Sequence, residues 1–385
     1  MKFFRLPIFF FALGCLLIIT SVWARCYWVG FESRDLTLHV LPWYRNFVSK
    51  GIRNGLAMDI SNYTPSYLYL LALVTKINLR FPEIAGIKAI GWLFDIYGSF
   101  IMALIAYRKY TNFASAFLAA SLYFALPTVW MNSSLWGQAD GIYSALILTS
   151  ILFLFRDSFF GAVLFFSVSF SFKLQAIFLI PALLVFVLQK KIRWYYLLLI
   201  PLIYLILIMP SAYFGRSIHE MLTVYLNQIS SNDEWTFNGQ NFFALMPSTV
   251  PKTYSMGFVL FAGLITLVWI CFTFKNSTLK DSTEILLVSL CSVTLIPSLL
   301  PYMHERYFFL SEIISLALAI NKPKFWFVPI AFQVAAYLVY SNYLFENVSN
   351  DYERLIWSTF ITFILLGFIL WHQMSRSHKN RYLAN

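Results

Sequence analysis

Asp35 stands in the run Phe31-Glu32-Ser33-Arg34-Asp35, within a polar stretch from Arg25 to Glu83 of an otherwise apolar chain. Glu32, Asp35 and Asp59 are carboxylates beside a lipid-facing scaffold, and ionisable groups in that setting suggest chemistry at the membrane interface. The run Ser133-Ser134-Leu135-Trp136-Gly137-Gln138-Ala139-Asp140 has a second set of suitable residue types. Gly137 permits a tight turn, Gln138 and Asp140 can accept sugar hydroxyls or position an acceptor, and Trp136 offers a flat face for a sugar ring. Asp140 equally suits the N-cap of the helix that follows.

A third run reads Pro301-Tyr302-Met303-His304-Glu305-Arg306-Tyr307. The planar fork of Arg306 matches an oxyanion such as phosphate, although an arginine here also fits interfacial snorkelling. Lys173, between Phe172 and Leu174, breaks an apolar stretch. It can bind phosphate or merely end a short helix. Asn62 and Tyr63 precede Pro65, which suits the first turn of a short helix; turn and interfacial-belt roles compete with a binding role for both. Asp95 reads as a buried structural carboxylate, and Glu312 needs a partner or a wet cavity. The stretch Asp233 to Phe242 suits either a mobile flap or an aromatic-packed loop.

The elements that position these residues are membrane helices. The chain has 385 residues, 60% hydrophobic and only 12% charged, against roughly 25% charged in soluble domains. A net charge of +11 then points to cytoplasmic anchoring and anionic lipid head groups, not to nucleic acid. Cys15, Cys26, Cys271 and Cys291 form no CxxC pair, so neither a disulfide framework nor a zinc ribbon is expected. There is no Gly-rich phosphate loop after a strand, no HExxH and no GxSxG. The N-terminal apolar run is long for a signal peptide and lacks a small-residue cleavage site; an uncleaved first helix with a cytoplasmic N-terminus is expected.

Apolar runs fall near 6–24, 84–107, 112–131, 140–155, 158–172, 174–188, 194–214, 255–274, 283–300, 307–320, 324–341 and 355–372. A thirteenth, 66–79, reaches only roughly 21 Å at about 1.5 Å per residue, short of a ~30 Å hydrocarbon core. With that run re-entrant or interfacial, twelve crossings leave both termini in the cytoplasm, with 15 Lys/Arg and 3 acids on that side, as the positive-inside rule expects. Twelve of the 17 acids then face outward. The expected architecture is a single all-α transmembrane domain over 1–385. A long first outer loop covers 25–83, a second outer loop covers 215–254, and a break near Lys173 divides 158–188.

In order along the chain, Asp35, the segment from Asn62 to Leu71, Trp136 to Asp140, Lys173 to Gln175, and Met303 to Tyr307 resemble the GT-C superfamily of polytopic glycosyltransferases. They most resemble the bacterial relatives of the second mannosyltransferase of glycosylphosphatidylinositol synthesis. The resemblance spans about residues 30–310. It departs at Pro65, a lone proline where relatives often carry two, and at Leu174, where proline is common. It implies transfer of mannose or another hexose from a polyprenyl-phosphate donor to a lipid-linked, glycan or protein acceptor. The reaction lies outside the cytoplasmic membrane and uses no cofactor or metal. It implies Asp35 as general base, with Glu32 as its catalytic neighbour, and Arg306, His304 and Lys173 on the donor phosphate. Trp136, Gln138, Asp140, Asn62, Tyr63 and Glu305 would bind sugar or acceptor. A polysaccharide polymerase or ligase is the alternative with a different lipid-linked donor. A lipid or sugar flippase would need more mid-helix charge than Asp95 and Glu312 provide.

Overall fold

The structure, a computed structural model, describes residues 2–77, 82–230, 234–247, 249–345 and 351–382. Residues 78 and 79 of the expected short helix, Asp233 of the second loop and Glu346 lie outside the described residues. The chain is an all-α bundle, 83% helical, and its contacts divide it into two compact units. Every apolar run in the sequence carries a helix.

The first unit comprises Met1–Leu152, Gly161–Ala176 and Leu198–Ser231. In chain order it holds α1 (Lys2–Tyr27), α2 (Leu41–Ala57), α3 (Pro65–Ile77), α4 (Glu83–Tyr110), α5 (Phe113–Ala125), α6 (Pro127–Trp130) and α7 (Asp140–Leu154). Most of α8 (Phe159–Phe172) follows. The second unit holds α9 (Ile180–Leu188), and the first unit resumes with α10 (Leu199–Tyr213) and α11 (Ile218–Ser230).

The long polar stretch of the first unit is mostly helical. A π-helical turn at Leu36–Val40 runs straight into α2, which buries Trp43, Tyr44 and Phe47 against Tyr67, Leu68 and Leu71 of α3. Pro65 opens α3 as its type suggests. The helix α5 stops where Leu126 turns extended before Pro127, and the pair bends there by 53°. Proline's ring crowds the residue before it out of the helical region. The break at Lys173 is present too: α8 ends at Phe172, and a 3₁₀ stretch, Leu174–Leu179, leads to α9.

Two buried cations tie the unit together. Arg25 in the last turn of α1 pairs with Asp95 of α4 at 3.0 Å, donates to Phe124 O at 3.0 Å and lies 3.8 Å from the centre of the Phe124 ring. Lys88 of α4 is 1% exposed and donates to Phe31 O at 2.6 Å and to Trp28 O at 3.2 Å. Those carbonyls lie beyond the end of α1, where Trp28 O also accepts from Phe31 N at 3.0 Å, and Lys88 anchors the chain leading into Asp35.

The second unit comprises Phe153–Phe160, Ile177–Leu197 and Asn232–Asn385. Besides α9 it carries α12 (Ser255–Asn276), α13 (Ser282–Leu299), α14 (Phe309–Asn321), α15 (Phe327–Leu344) and α16 (Asp351–Tyr382). Two parallel two-residue strands, β1 (Thr236–Phe237) and β2 (Met303–His304), join its loops. Buried hydroxyls link its inner helices: Ser292 donates to Phe178 O at 2.6 Å, and Thr294 meets Ser311 at 2.9 Å. With no water in hydrocarbon, such groups must satisfy one another.

Among the described residues seven helices are long and apolar enough to cross a bilayer, eight if the bent pair counts as one span. Asp140–Leu154, Phe159–Phe172 and Leu174–Leu188 are shorter apolar helices, so a count of twelve requires these three and the 13-residue α14 (Phe309–Asn321) to cross as well. The chain is thus a multi-pass membrane protein. Asp95→Leu should lower the detergent melting temperature sharply, because breaking a buried ion pair costs about 3–5 kcal/mol. An unchanged melting temperature would show that Arg25 and Asp95 do not hold α1 to α4.

Candidate functional site

Asp35 sits just before the π-helical turn at Leu36–Val40, half-buried. Trp136 Nε1 donates to Asp35 Oδ2 at 3.1 Å, and Gln138 Nε2 donates to the same oxygen at 2.8 Å. Tyr63 completes the frame by donating from its hydroxyl to Gln138 Oε1 at 2.8 Å. Because that amide oxygen accepts from Tyr63, its NH₂ end is directed at the carboxylate. Ser33 pins the same place, donating to Trp136 O at 2.7 Å and accepting from Leu36 N at 3.2 Å.

The donors come from a segment with special backbone geometry. A second π-helical stretch, Met131–Trp136, ends at Gly137 with φ +70°, a left-handed conformation that suits glycine. This reversal lets Trp136 and Gln138 both reach Asp35. The segment also lies tightly on α4: a Cβ on Gly91 would come 2.9 Å from Ser133 Cβ. π-Helical turns recur at functional sites, and here two of them bracket one carboxylate.

The network continues through charge. Lys173 pairs with Asp140 Oδ1 in a buried bridge whose side chains are 8% and 1% exposed. Asn132 Nδ2 donates to Asp140 Oδ2 at 2.8 Å. The Lys173 ammonium lies 5.4 Å from the centre of the Tyr63 ring and 6.0 Å from that of Tyr143, within cation–π range. Thr64 donates to Ser171 O at 2.6 Å and Tyr225 to Phe170 O at 2.6 Å. They satisfy carbonyls in the last turn of α8, which otherwise lack partners, and so hold Lys173 in place. Burial pushes the pKa of the Tyr225 hydroxyl well up, which keeps it a donor.

The structure therefore gathers Asp35, Tyr63, Trp136, Gln138, Asp140 and Lys173 from four separate stretches of sequence. Some contacts differ from those anticipated. Trp136 is fully buried, so the indole N–H, not a ring face open to a sugar, is what it presents to the site. Asp140 is also fully buried, with Lys173 and Asn132 on its two oxygens. Glu32 and Asn62 are exposed. Beside this cluster, α3 and α4 line an apolar cavity of about 460 Å³ with Leu70, Leu73, Val74, Ile90 and Leu93.

The remaining candidates belong to the second unit. His304 lies in β2, stacked on Phe237 at 4.7 Å with the rings 16° apart, and 5.2 Å from the Tyr307 ring. Glu305 is buried, while Arg306 is half-buried in the 3₁₀ turn Glu305–Phe308. The loop packed there is aromatic: Trp235 stacks on Phe243 and Tyr302 and donates to Val250 O at 3.0 Å. Among the described residues no three His, Cys, Asp or Glu side chains group to hold a metal.

Three participants escaped the sequence reading. Asn132 lies at the end of an apolar run, Ser33 resembles any loop serine, and Lys88 is enclosed in α4. No known family model matches the chain, and no curated protein matches it. Lys173→Met should destabilise the protein by about 3–5 kcal/mol, because Asp140 is left buried without its cation. Adding Asp140→Asn to that variant should recover part of the loss in a detergent thermal melt. Equal melting temperatures for wild type and Lys173→Met would show that the bridge is not structural.

Proposed function

We propose that the chain is an integral membrane glycosyltransferase with Asp35 as its general base. It moves a hexose, mannose in the family it resembles, from a polyprenyl-phosphate donor to a lipid-linked, glycan or protein acceptor. The observation that carries this reading is the pair of N–H donors on Asp35 Oδ2, which holds one carboxylate in a fixed orientation at the edge of an apolar scaffold.

Asp35 takes the proton from an acceptor hydroxyl as that oxygen attacks the anomeric carbon. The bond from that carbon to the phosphate oxygen breaks, and polyprenyl phosphate departs with its electron pair. General-base assistance of this kind contributes roughly 10²–10⁴-fold. Arg306 and His304 are assigned to the departing phosphate, where cationic and hydrogen-bonding groups stabilise the growing charge. Lys173, already paired with Asp140, contributes by holding the Tyr63–Gln138 side of the frame. The apolar cavity of α3 and α4 suits part of a prenyl chain, which inside a bilayer is held by packing contacts and not by release from water.

The same reading sets the chain in the cytoplasmic membrane with twelve crossings. Arg108, Lys109, Lys190, Lys191 and Arg193 lie in the cytoplasm and Asp35 on the outer face, as the positive-inside rule favours. Asp35→Asn should fold normally and reduce transfer by about 10²–10⁴-fold, measured in membranes supplied with radiolabelled polyprenyl-phosphate hexose. Wild-type transfer by that variant removes Asp35 from the role of base.

A further inference from the structure

At the end of α10 in the first unit, Arg216 turns inward. It is 3% exposed, and its side chain is entirely covered. Its Nη2 pairs with Asp59 Oδ1, but the Asp59 side chain is 54% exposed. The charge balance is therefore lopsided, with a buried cation held by an anion that water also solvates. Arg216 Nε and Nη1 are buried without hydrogen-bond partners. A guanidinium stays ionised and carries five donors in a rigid fork, so those two nitrogens require oxygen acceptors.

The groups beside it are polar. The backbone N–H of Arg216 donates to Ser211 O at 3.1 Å. Ser211 N in turn donates to the Tyr69 hydroxyl at 3.2 Å, and that hydroxyl donates to Leu207 O at 2.8 Å. Ser66 lies three residues before Tyr69 on α3, hence on the same helix face. It is 3% exposed, and its Oγ has no partner. Arg216 is thus joined through Ser211 to the face of α3 that carries Tyr69 and Ser66.

We propose that Arg216, with Ser66, binds a phosphate group, and that Asp59 occupies the guanidinium until that phosphate displaces it. A tetrahedral oxyanion brings enough acceptors for Nε, Nη1 and Nη2 together, which a single carboxylate oxygen does not. The exposed Asp59 carboxylate can be released to solvent at modest cost, whereas Arg216 cannot leave without exposing its buried surroundings. The site needs no sugar transfer and stands apart from the assignment of Asp35.

The test uses the full-length chain in detergent, with Arg306→Ala in every sample to remove the donor phosphate ligand assigned above, and two probes: inorganic phosphate followed by equilibrium dialysis, and farnesyl phosphate followed by native mass spectrometry. Arg216→Gln should weaken binding at least about tenfold, the scale of one lost charge-assisted hydrogen bond. Ser66→Ala should weaken it by several-fold. Asp59→Asn should tighten it, because the internal competitor is gone. This pattern with both probes assigns the site to free phosphate as well as lipid; with farnesyl phosphate alone, it assigns it to a lipid head group. The readout is binding alone, so a failed assignment of Asp35 as base leaves this result untouched. The proposal is overturned if neither probe binds the Arg306→Ala parent or Asp59→Asn, if Arg216→Gln binds normally, or if Asp59→Asn binds more weakly.

Discussion

The bridge between Lys173 and Asp140 constrains everything around it. Both side chains are almost wholly buried, and neither charge can be buried alone without a penalty of several kcal/mol. The end of α8 and the start of α7 must therefore meet. Asn132 occupies the second oxygen of Asp140, which orders the π-helical stretch before Gly137. The Lys173 ammonium also faces the Tyr63 ring. Tyr63 orients Gln138, and Gln138 orients Asp35. One charge pair thus extends into a chain of polar contacts ending on the proposed base. Such networks are worth more when complete than their separate bonds suggest.

The apolar scaffold is what makes these contacts decisive. Where water is excluded, a donor left over is expensive, so polar groups in the bundle are brought to partners. Lys88 on the carbonyls of Trp28 and Phe31, Arg25 on Asp95 and Thr64 on the end of α8 follow this logic. They brace the chain on either side of Asp35 and Tyr63. Rigidity at the site is then a consequence of satisfying buried groups, and a preorganised carboxylate is what general-base chemistry needs.

Helix positions were legible because twelve long apolar runs leave few other structures possible in a membrane. The break at Lys173 and the start of α3 at Pro65 were readable for local reasons, a charge and a proline. Helices α2 and α11 were not, since their mixed composition forms no apolar run. At the site, Asp35, Tyr63, Gln138 and Lys173 stood out as polar residues at the margins of apolar stretches. Their pairing was not legible: Asp35 and Gln138 are 103 residues apart, and Tyr63 and Gln138 are 75 apart. The indole N–H contact of Trp136 was hidden for a related reason, because it depends on a π-helical stretch that leaves no mark in composition. Asn132 and Lys88 act through burial, which a single residue type does not announce.

An apolar chain forces polar groups to pair, the pairs fix one carboxylate, and the fixed carboxylate is the proposed base. The most direct test is an experimental structure of the Asp35→Asn variant with a polyprenyl-phosphate hexose and an acceptor analogue bound. The account predicts the acceptor hydroxyl within about 3.2 Å of residue 35, facing the anomeric carbon, with Trp136 and Gln138 still directed at that side chain. A sugar and acceptor seated away from residue 35, with Trp136 and Gln138 turned elsewhere, would contradict it.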